Sequence, residues 1–296
     1  MKFKLRRYYL YYLGRAGASL LYLMPLRVSL ILSEVIGYLA FWILAKYRRI
    51  AVENLRKAFR GEKTAGEIKD IAVSSFINLG KNAVELINFP KITSTNIDRL
   101  VTVRNISYVD DALRKGKGAI VLTGHFGDWE LLAATFKVKN YPGMVVGRRI
   151  YFHKYDEYLN KLRKLCNVNV IYRDQSAKNI LKLLRNNEII GMLADQDVDS
   201  VDGVFVNFFG HPAYTPIAPV ALAKASGAEL IPAFIVREKA RHTLYIEKPI
   251  ELRDTGDKEK DMIANTQAWS DVIESYIRKF PDHWVWMHRR WKTKKS

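Results

Sequence analysis

Gly118-Ala119-Ile120-Val121-Leu122-Thr123-Gly124-His125-Phe126-Gly127-Asp128-Trp129-Glu130 is the stretch that decides the fold. Its apolar first half is short, carries β-branched residues and follows the polar turn at 114–117, the pattern of a buried strand. The next residues, Leu131-Leu132-Ala133-Ala134-Thr135-Phe136, favour a helix. His125 and Glu130 therefore fall where a strand hands over to a helix, and open α/β folds gather their sites at the carboxyl ends of strands. Residues five apart on one helix are roughly 140° apart and do not face each other. His125 can meet Glu130 only from a turn that precedes the helix, and Gly124 and Gly127 allow such a turn. Asp128 suits the N-cap, and Glu130 suits the first turn beside the helix dipole. A carboxylate on one imidazole nitrogen would fix the tautomer and leave the other nitrogen as a base. The octapeptide from Thr123 also reads as a plain turn with a surface histidine and two capping acids.

Working outward, the chain alternates from about residue 98 between short apolar runs and helical stretches. Strands are expected at 100–103, 119–122, 143–146, 168–171, 189–193 and 230–236, with an edge strand at 244–247. Helices are expected at 109–114, 130–138, 155–165, 176–186 and 217–226, and a closing helix at 257–278. That order predicts an α/β fold with a largely parallel central sheet flanked by helices.

Upstream the character changes. Residues 1–12 mix basic and aromatic side chains, a composition of the cytoplasmic bilayer interface. Two apolar arms follow, 13–24 interrupted by Arg15 and 28–45 carrying only Glu34, separated by Pro25 and Arg27. The second arm would span roughly 27 Å as a helix, marginal for crossing a bilayer. Both flanks are basic, so a re-entrant or interfacial helical hairpin is expected ahead of a single span; an ordinary buried helical pair is the alternative. Residues 48–59 form a basic amphipathic helix, suited either to anionic headgroups or to a solvated domain face. A long helix is expected at 67–89. The division that follows is an N-terminal membrane-anchoring segment over 1–60 and an α/β domain over 61–296.

The 296 residues carry a net charge of +18 and 49% hydrophobic residues. The chain is globular, and its charge fits anionic partners such as a membrane surface, nucleic acid or an acidic protein. No helix-turn-helix, zinc or RNA-binding signature supports nucleic acid. The single cysteine, Cys166, excludes an intramolecular disulfide and suits a core position.

Other groups could join the site. Asp195-Gln196-Asp197 follows a strand, but Ser200 and Val206 stand where a calcium loop needs glycine and glutamate, so no EF-hand is expected. A pocket-lining loop and a solvated acidic loop both fit. Arg148 and Arg149 also follow a strand, and Arg163 lies in the next helix; arginines so placed can clamp phosphate or carboxylate. Phe208-Phe209-Gly210-His211-Pro212 reads as an apolar turn with a structural His211. Thr215 and Pro216 would start the next helix. Trp284-Val285-Trp286-Met287-His288-Arg289-Arg290-Trp291-Lys292 suits either core packing or an interfacial, anion-binding surface. No His-x-x-x-His or cysteine pair frames a metal site, and none is expected.

These marks together resemble the lipid A biosynthesis acyltransferase family, the lauroyl/myristoyl-type lysophospholipid-acyltransferase-like proteins. His125 to Glu130, the Asp195-Gln196-Asp197 loop, Phe208-Phe209-Gly210, the terminal tryptophan segment and Arg49-Ile50-Ala51-Val52-Glu53-Asn54-Leu55 carry the resemblance across nearly the whole chain. It implies a glycerol-3-phosphate acyltransferase-like fold without a cofactor. It also implies transfer of an acyl chain from acyl carrier protein to a hydroxyl of a phosphorylated lipid A precursor, at the cytoplasmic face of the inner membrane. His125 would be the general base and Glu130 would orient it. Arg163 would meet substrate phosphate or the oxyanion, Asp195 would supply local hydrogen bonds, and Arg148 or Arg149 would add phosphate contacts. Another lipid acceptor, acyl-CoA as donor, or a non-catalytic membrane-binding protein are the competing readings.

Overall fold

The computed structural model describes residues 5–173, 177–239 and 241–295. Residues 1–4 of the basic aromatic start, Ser176 at the head of one expected helix, and Ser296 lie outside that range. In chain order the helices are α1 (Leu5–Leu23), α2 (Leu26–Ile43), α3 (Ala45–Ala58), α4 (Ala65–Ile87), α5 (Ile97–Leu100), α6 (Ser107–Arg114), α7 (Trp129–Val138), α8 (His153–Lys164), α9 (Ala177–Arg185), α10 (Ala218–Ser226) and α11 (Lys258–Lys279). The strands are β1 (Val101–Arg104), β2 (Ala119–Thr123), β3 (Gly143–Gly147), β4 (Val170–Tyr172), β5 (Ile189–Leu193), β6 (Gly203–Phe208), β7 (His211–Pro216), β8 (Glu229–Glu238) and β9 (Arg241–Ile246).

The main sheet runs β1-β9-β8-β2-β5-β3-β4. Strands β8, β2, β5, β3 and β4 are mutually parallel, while β9 pairs antiparallel with β8 and parallel with β1. The expected mostly parallel sheet is present. The 244–247 run is not an edge: β9 lies between β8 and β1, because β1 pairs along its outer side. All five residues of β2 are buried, and its alternate side chains serve two layers. Ile120 and Leu122 join a cluster with Trp269, Ile273 and Trp284. Ala119 and Val121 join another with Val109, Leu131 and Leu132. This two-sided burial is why the strand reads as an unbroken apolar run.

The 215–216 segment does not begin a helix. Thr215 and Pro216 end β7, which pairs antiparallel with β6 from Gly203↔Pro216 to Phe208↔His211. Phe209 and Gly210 both take positive φ, 53° and 73°, as a two-residue hairpin turn requires. His211 is structural, its Nε2 3.3 Å from the Lys57 carbonyl oxygen.

The two N-terminal arms are helices, α1 and α2. Ser29, Ser33, Gly37 and Phe41 make one buried stripe at four-residue spacing along α2, and that stripe packs on α4. A methyl at Gly37 would come within 2.7 Å of Ile77 Cα, so the backbones touch there and only glycine fits. Lys81 of α4 reaches Glu34 of α2 at 2.7 Å. Most of the rest of α2, including Ile31, Val35, Leu39 and Trp42, is exposed. By length and composition it could cross a membrane. Helix α3 buries Ala51, Leu55 and Ala58 in the same cluster as Trp284 and turns Arg49 and Arg56 outward; Arg60, just past its end, is exposed as well.

Candidate active site

The parallel neighbours β2, β5, β3 and β4 end side by side, and each carries an ionisable side chain just past its last residue. Strand β2 delivers His125, β5 delivers Asp195, β3 delivers Arg148 and β4 delivers Arg173. A cavity of about 320 Å³ opens among them, lined by His125, Trp129, Glu130, Arg148, Arg163, Arg173 and Gln196.

His125 does sit in a turn before the helix. Asp128 caps α7, its Oδ1 accepting from Leu131 N at 2.9 Å. Gly127 has φ +57°, and a Cβ there would stand 1.7 Å from the Ile235 carbonyl oxygen. The turn is pinned to the terminal segment: Gly127 N donates to His283 O at 2.8 Å, and Val285 N donates to His125 O at 3.0 Å.

The carboxylate that meets His125 is Asp195, not Glu130. His125 Nδ1 lies 2.8 Å from Asp195 Oδ1, and His125 N donates to Oδ2 at 2.9 Å. Trp284 Nε1 donates to the same Oδ2 at 2.8 Å. Burial alone would raise the Asp195 carboxyl; the charge and hydrogen bonds of His125 outweigh it and hold the group below the usual carboxylate range. An ionised carboxylate only accepts, so Nδ1 carries a hydrogen toward it, and in the neutral ring the lone pair is then on Nε2. Nε2 makes no hydrogen bond among the described residues.

Glu130, expected to orient His125, instead spends both oxygens on Arg163. Arg163 Nε donates to Oε2 at 2.8 Å and Nη2 to Oε1 at 2.5 Å. The reason is geometric: Glu130 points from the first turn of α7 toward α8, while β5 lies directly beside β2 and brings Asp195 to the ring. Both members of the Glu130–Arg163 pair are largely buried in the cavity wall. Arg148 lines the cavity. Arg149 is not among the lining residues; its guanidinium lies over the Tyr172 ring, 3.9 Å from the centroid.

The bond from Trp284 to Asp195, the burial of Arg290 and a polar network behind the turn are not signalled by local sequence pattern. Arg173 is a further addition: it lines the cavity directly after β4, a position its place behind an apolar run could have signalled. Trp284 holds the histidine's carboxylate, so the tryptophan segment is core: Trp284, Trp286 and Trp291 are all buried. Arg290 is buried too and donates to Tyr214 O and Thr215 Oγ1, both at 2.6 Å. Behind the turn lies a buried polar network. Asn82 Nδ2 donates to Gly127 O at 2.6 Å, and Arg237 donates to Asn82 and to both oxygens of Glu85. Burial, then the charge of nearby Glu85, push the Asp128 carboxyl well above its usual range. Among the described residues no group of three His, Cys, Asp or Glu side chains is placed to hold a metal ion.

Residues 1–293 match the bacterial lipid A biosynthesis acyltransferase family. The chain is 28% identical to a lipid A biosynthesis lauroyltransferase of Escherichia coli K12 over 290 residues, 97% of this chain and 93% of the relative. It is 23% identical to the lipid A biosynthesis palmitoleoyltransferase of the same strain, over 97% of this chain and 92% of the relative. It is also 24% identical to a phosphatidylinositol mannoside acyltransferase of Mycobacterium tuberculosis H37Rv, over 81% of this chain and 77% of the relative. With nearly its whole length matched and a histidine–carboxylate pair at the mouth of its sheet, the chain belongs to the bacterial lipid A biosynthesis acyltransferase family.

Proposed function

We propose that this acyltransferase moves a fatty acyl chain from an acyl carrier protein thioester to a hydroxyl of a phosphorylated glycolipid of the lipid A type, working at the cytoplasmic face of the inner membrane. The observation that carries the reading is the His125–Asp195 pair set in an arginine-lined cavity. His125 Nε2 takes the proton of the acceptor hydroxyl as that oxygen attacks the thioester carbonyl carbon. Asp195 stabilises the imidazolium that forms and keeps the ring in the useful tautomer. When the tetrahedral intermediate collapses, the carbon–sulfur bond breaks and the imidazolium returns its proton to the leaving thiolate. The products are an ester and a free thiol, with no covalent acyl-enzyme. Arg148 and Arg173 suit an acceptor phosphate, and Glu130 holds Arg163 in place as part of the same wall. The exposed apolar faces of α1 and α2 and the charge of +18 support attachment to an anionic membrane.

A second acceptor is favoured by one observation: relatives named for phosphatidylinositol mannoside lie close in identity to those named for lipid A. The test is a matrix of acyl carrier protein and acyl-CoA donors against lipid A precursors and phosphatidylinositol mannosides, read by mass spectrometry. Ester formed from the carrier-protein donor on the lipid A precursor supports the proposal. Ester only on the mannoside, or only from acyl-CoA, replaces that part of it.

A further inference from the structure

Behind the His125 turn, α4 points a polar stripe into the protein. Ser75, Asn78, Asn82 and Glu85 follow one another at three- and four-residue steps, so they share one face of the helix. Each is bonded to a segment that carries the site. Ser75 Oγ donates to Trp284 O at 3.4 Å, and Asn78 Nδ2 donates to Asp282 O at 3.0 Å and to its Oδ2 at 3.1 Å. Asn82 Nδ2 donates to Gly127 O at 2.6 Å. Arg237, near the end of β8, ties the stripe together. Its Nη2 donates to Asn82 Oδ1 at 2.8 Å, and Nη1 and Nη2 donate to the two Glu85 oxygens at 2.5 and 2.7 Å. Burial alone would raise the Glu85 carboxyl; the hydrogen bonds and charges of His242 and Arg237 outweigh it and hold the group below its usual range. The Arg237 backbone N donates to His283 Nε2 at 3.0 Å, and the His283 carbonyl oxygen accepts from Gly127 N at 2.8 Å. Gly127 is thus held at both its N–H and its carbonyl.

We infer that Asn82 and Arg237 are positioning residues for the acyl transfer: through Gly127 and His283 they set the His125 ring against Asp195. This rests on the reading of His125 as the base. The two segments that the stripe holds, 125–128 and 282–285, supply both N–H groups that Asp195 Oδ2 accepts, from His125 N and Trp284 Nε1. A turn built on Gly124 and Gly127 has little stiffness of its own, because glycine leaves the backbone free to rotate. The bonds from α4 and β8 supply that stiffness. Stability alone does not call for such a stripe. Taking polar and charged groups out of water is costly, and apolar side chains of similar volume often stabilise a core as well or better. Hydrogen bonds add direction, and direction matters at a reacting group, where a displacement of about 1 Å can cost about 10²-fold in rate.

The test uses the full chain with nitrogen-15-labelled histidine, the ring Nδ1–H resonance of His125 being assigned by its loss in His125→Ala. Asn82→Ala is expected to move that resonance and to lower kcat about 10–100-fold, with KM for donor and acceptor within about twofold of wild type. Arg237→Lys keeps a charge beside Glu85 but has no fork to reach Asn82 as well, so it should show the same pattern. Ala83→Gly is the control. It lies on the exposed side of the same helix and weakens it through lost propensity while keeping every bond of the stripe. Its kcat and its His125 resonance should match wild type. The positioning role is overturned if Asn82→Ala keeps kcat within about twofold, or loses it with the resonance unmoved, or if Ala83→Gly loses as much. Should Asn82→Ala not fold, Asn78→Ala, which cuts the bonds to Asp282, must show the same split at about threefold; an unchanged kcat there overturns the role as well. If wild type transferred no acyl group to any lipid, the function reading would fail, while the resonance still decided whether α4 positions the ring.

Discussion

Replacing Asp195 by asparagine tests the site at its most informative atom. Asp195 Oδ2 already accepts two N–H groups, from His125 and Trp284, at 2.9 and 2.8 Å. An asparagine must keep its carbonyl oxygen there, because its NH2 would face two donors. The NH2 is thereby forced against His125 Nδ1, which must become an acceptor. The ring hydrogen moves to Nε2, and the lone pair that would take the acceptor's proton is gone. Loss of the correct tautomer in a comparable acid–histidine pair costs about 10⁴ in kcat; with the acceptor still bound, kcat is expected to fall about 10³–10⁴-fold, or roughly 4–5.5 kcal/mol. Folding should survive, since both donors keep a partner. Asp195→Ala, by contrast, leaves two buried donors bare at about 1–3 kcal/mol each. The assay is transfer of a labelled acyl chain at saturating donor, with the folded fraction checked by near-ultraviolet circular dichroism. If Asp195→Asn kept kcat within about threefold of wild type, the tautomer argument would be refuted.

Other substitutions probe the surroundings. Glu130→Gln weakens the grip on Arg163 without touching the His125 ring, so KM for the acceptor should rise while the pH dependence of kcat keeps its shape; a shifted kcat profile would tie Glu130 to the base after all. Gly127→Ala combines a left-handed backbone with a methyl 1.7 Å from a carbonyl oxygen, and we expect a loss of more than about 3 kcal/mol in urea unfolding, or no folded protein. A loss under about 1 kcal/mol would mean that the turn can relax. Burial pushes the His288 imidazole down to about 4 against the pull of Asp195. The unfolded chain therefore binds this proton more readily, so stability should be level above about pH 6.5 and fall as pH drops from there toward 4. Melting temperatures of wild type and His288→Gln across that window should diverge; parallel curves would contradict the assignment.

The parts of the site legible in the sequence were those set by local pattern. The apolar run before His125, the capping acid at Asp128 and the arginines behind β3 all stand where their neighbours along the chain put them. What could not be read was which strands lie side by side. Glu130 is five residues from His125 and Asp195 is seventy, yet the β2–β5 register, Thr123↔Leu193, makes the distant carboxylate the partner. Gly124 illustrates the same limit. Local pattern gives it a role in backbone freedom, whereas a Cβ there would meet Asp195 Cγ at 3.0 Å and Ile273 Cδ1 at 2.3 Å. It is small because a residue from another strand and one from α11 close on it. The tryptophan segment fits two readings along the chain, and only its pairing with the His125 turn separates them: Trp284 is bridged to Phe126 and bonded to Asp195.

The central claim is direct acyl transfer with His125 as base. Its most direct measurement is the mass of the lipid product formed from acyl carrier protein thioester and a lipid A precursor by wild type and by His125→Ala, each verified as folded. The account predicts a gain of one acyl group with wild type and none above background with the variant. An equal gain with both would contradict it.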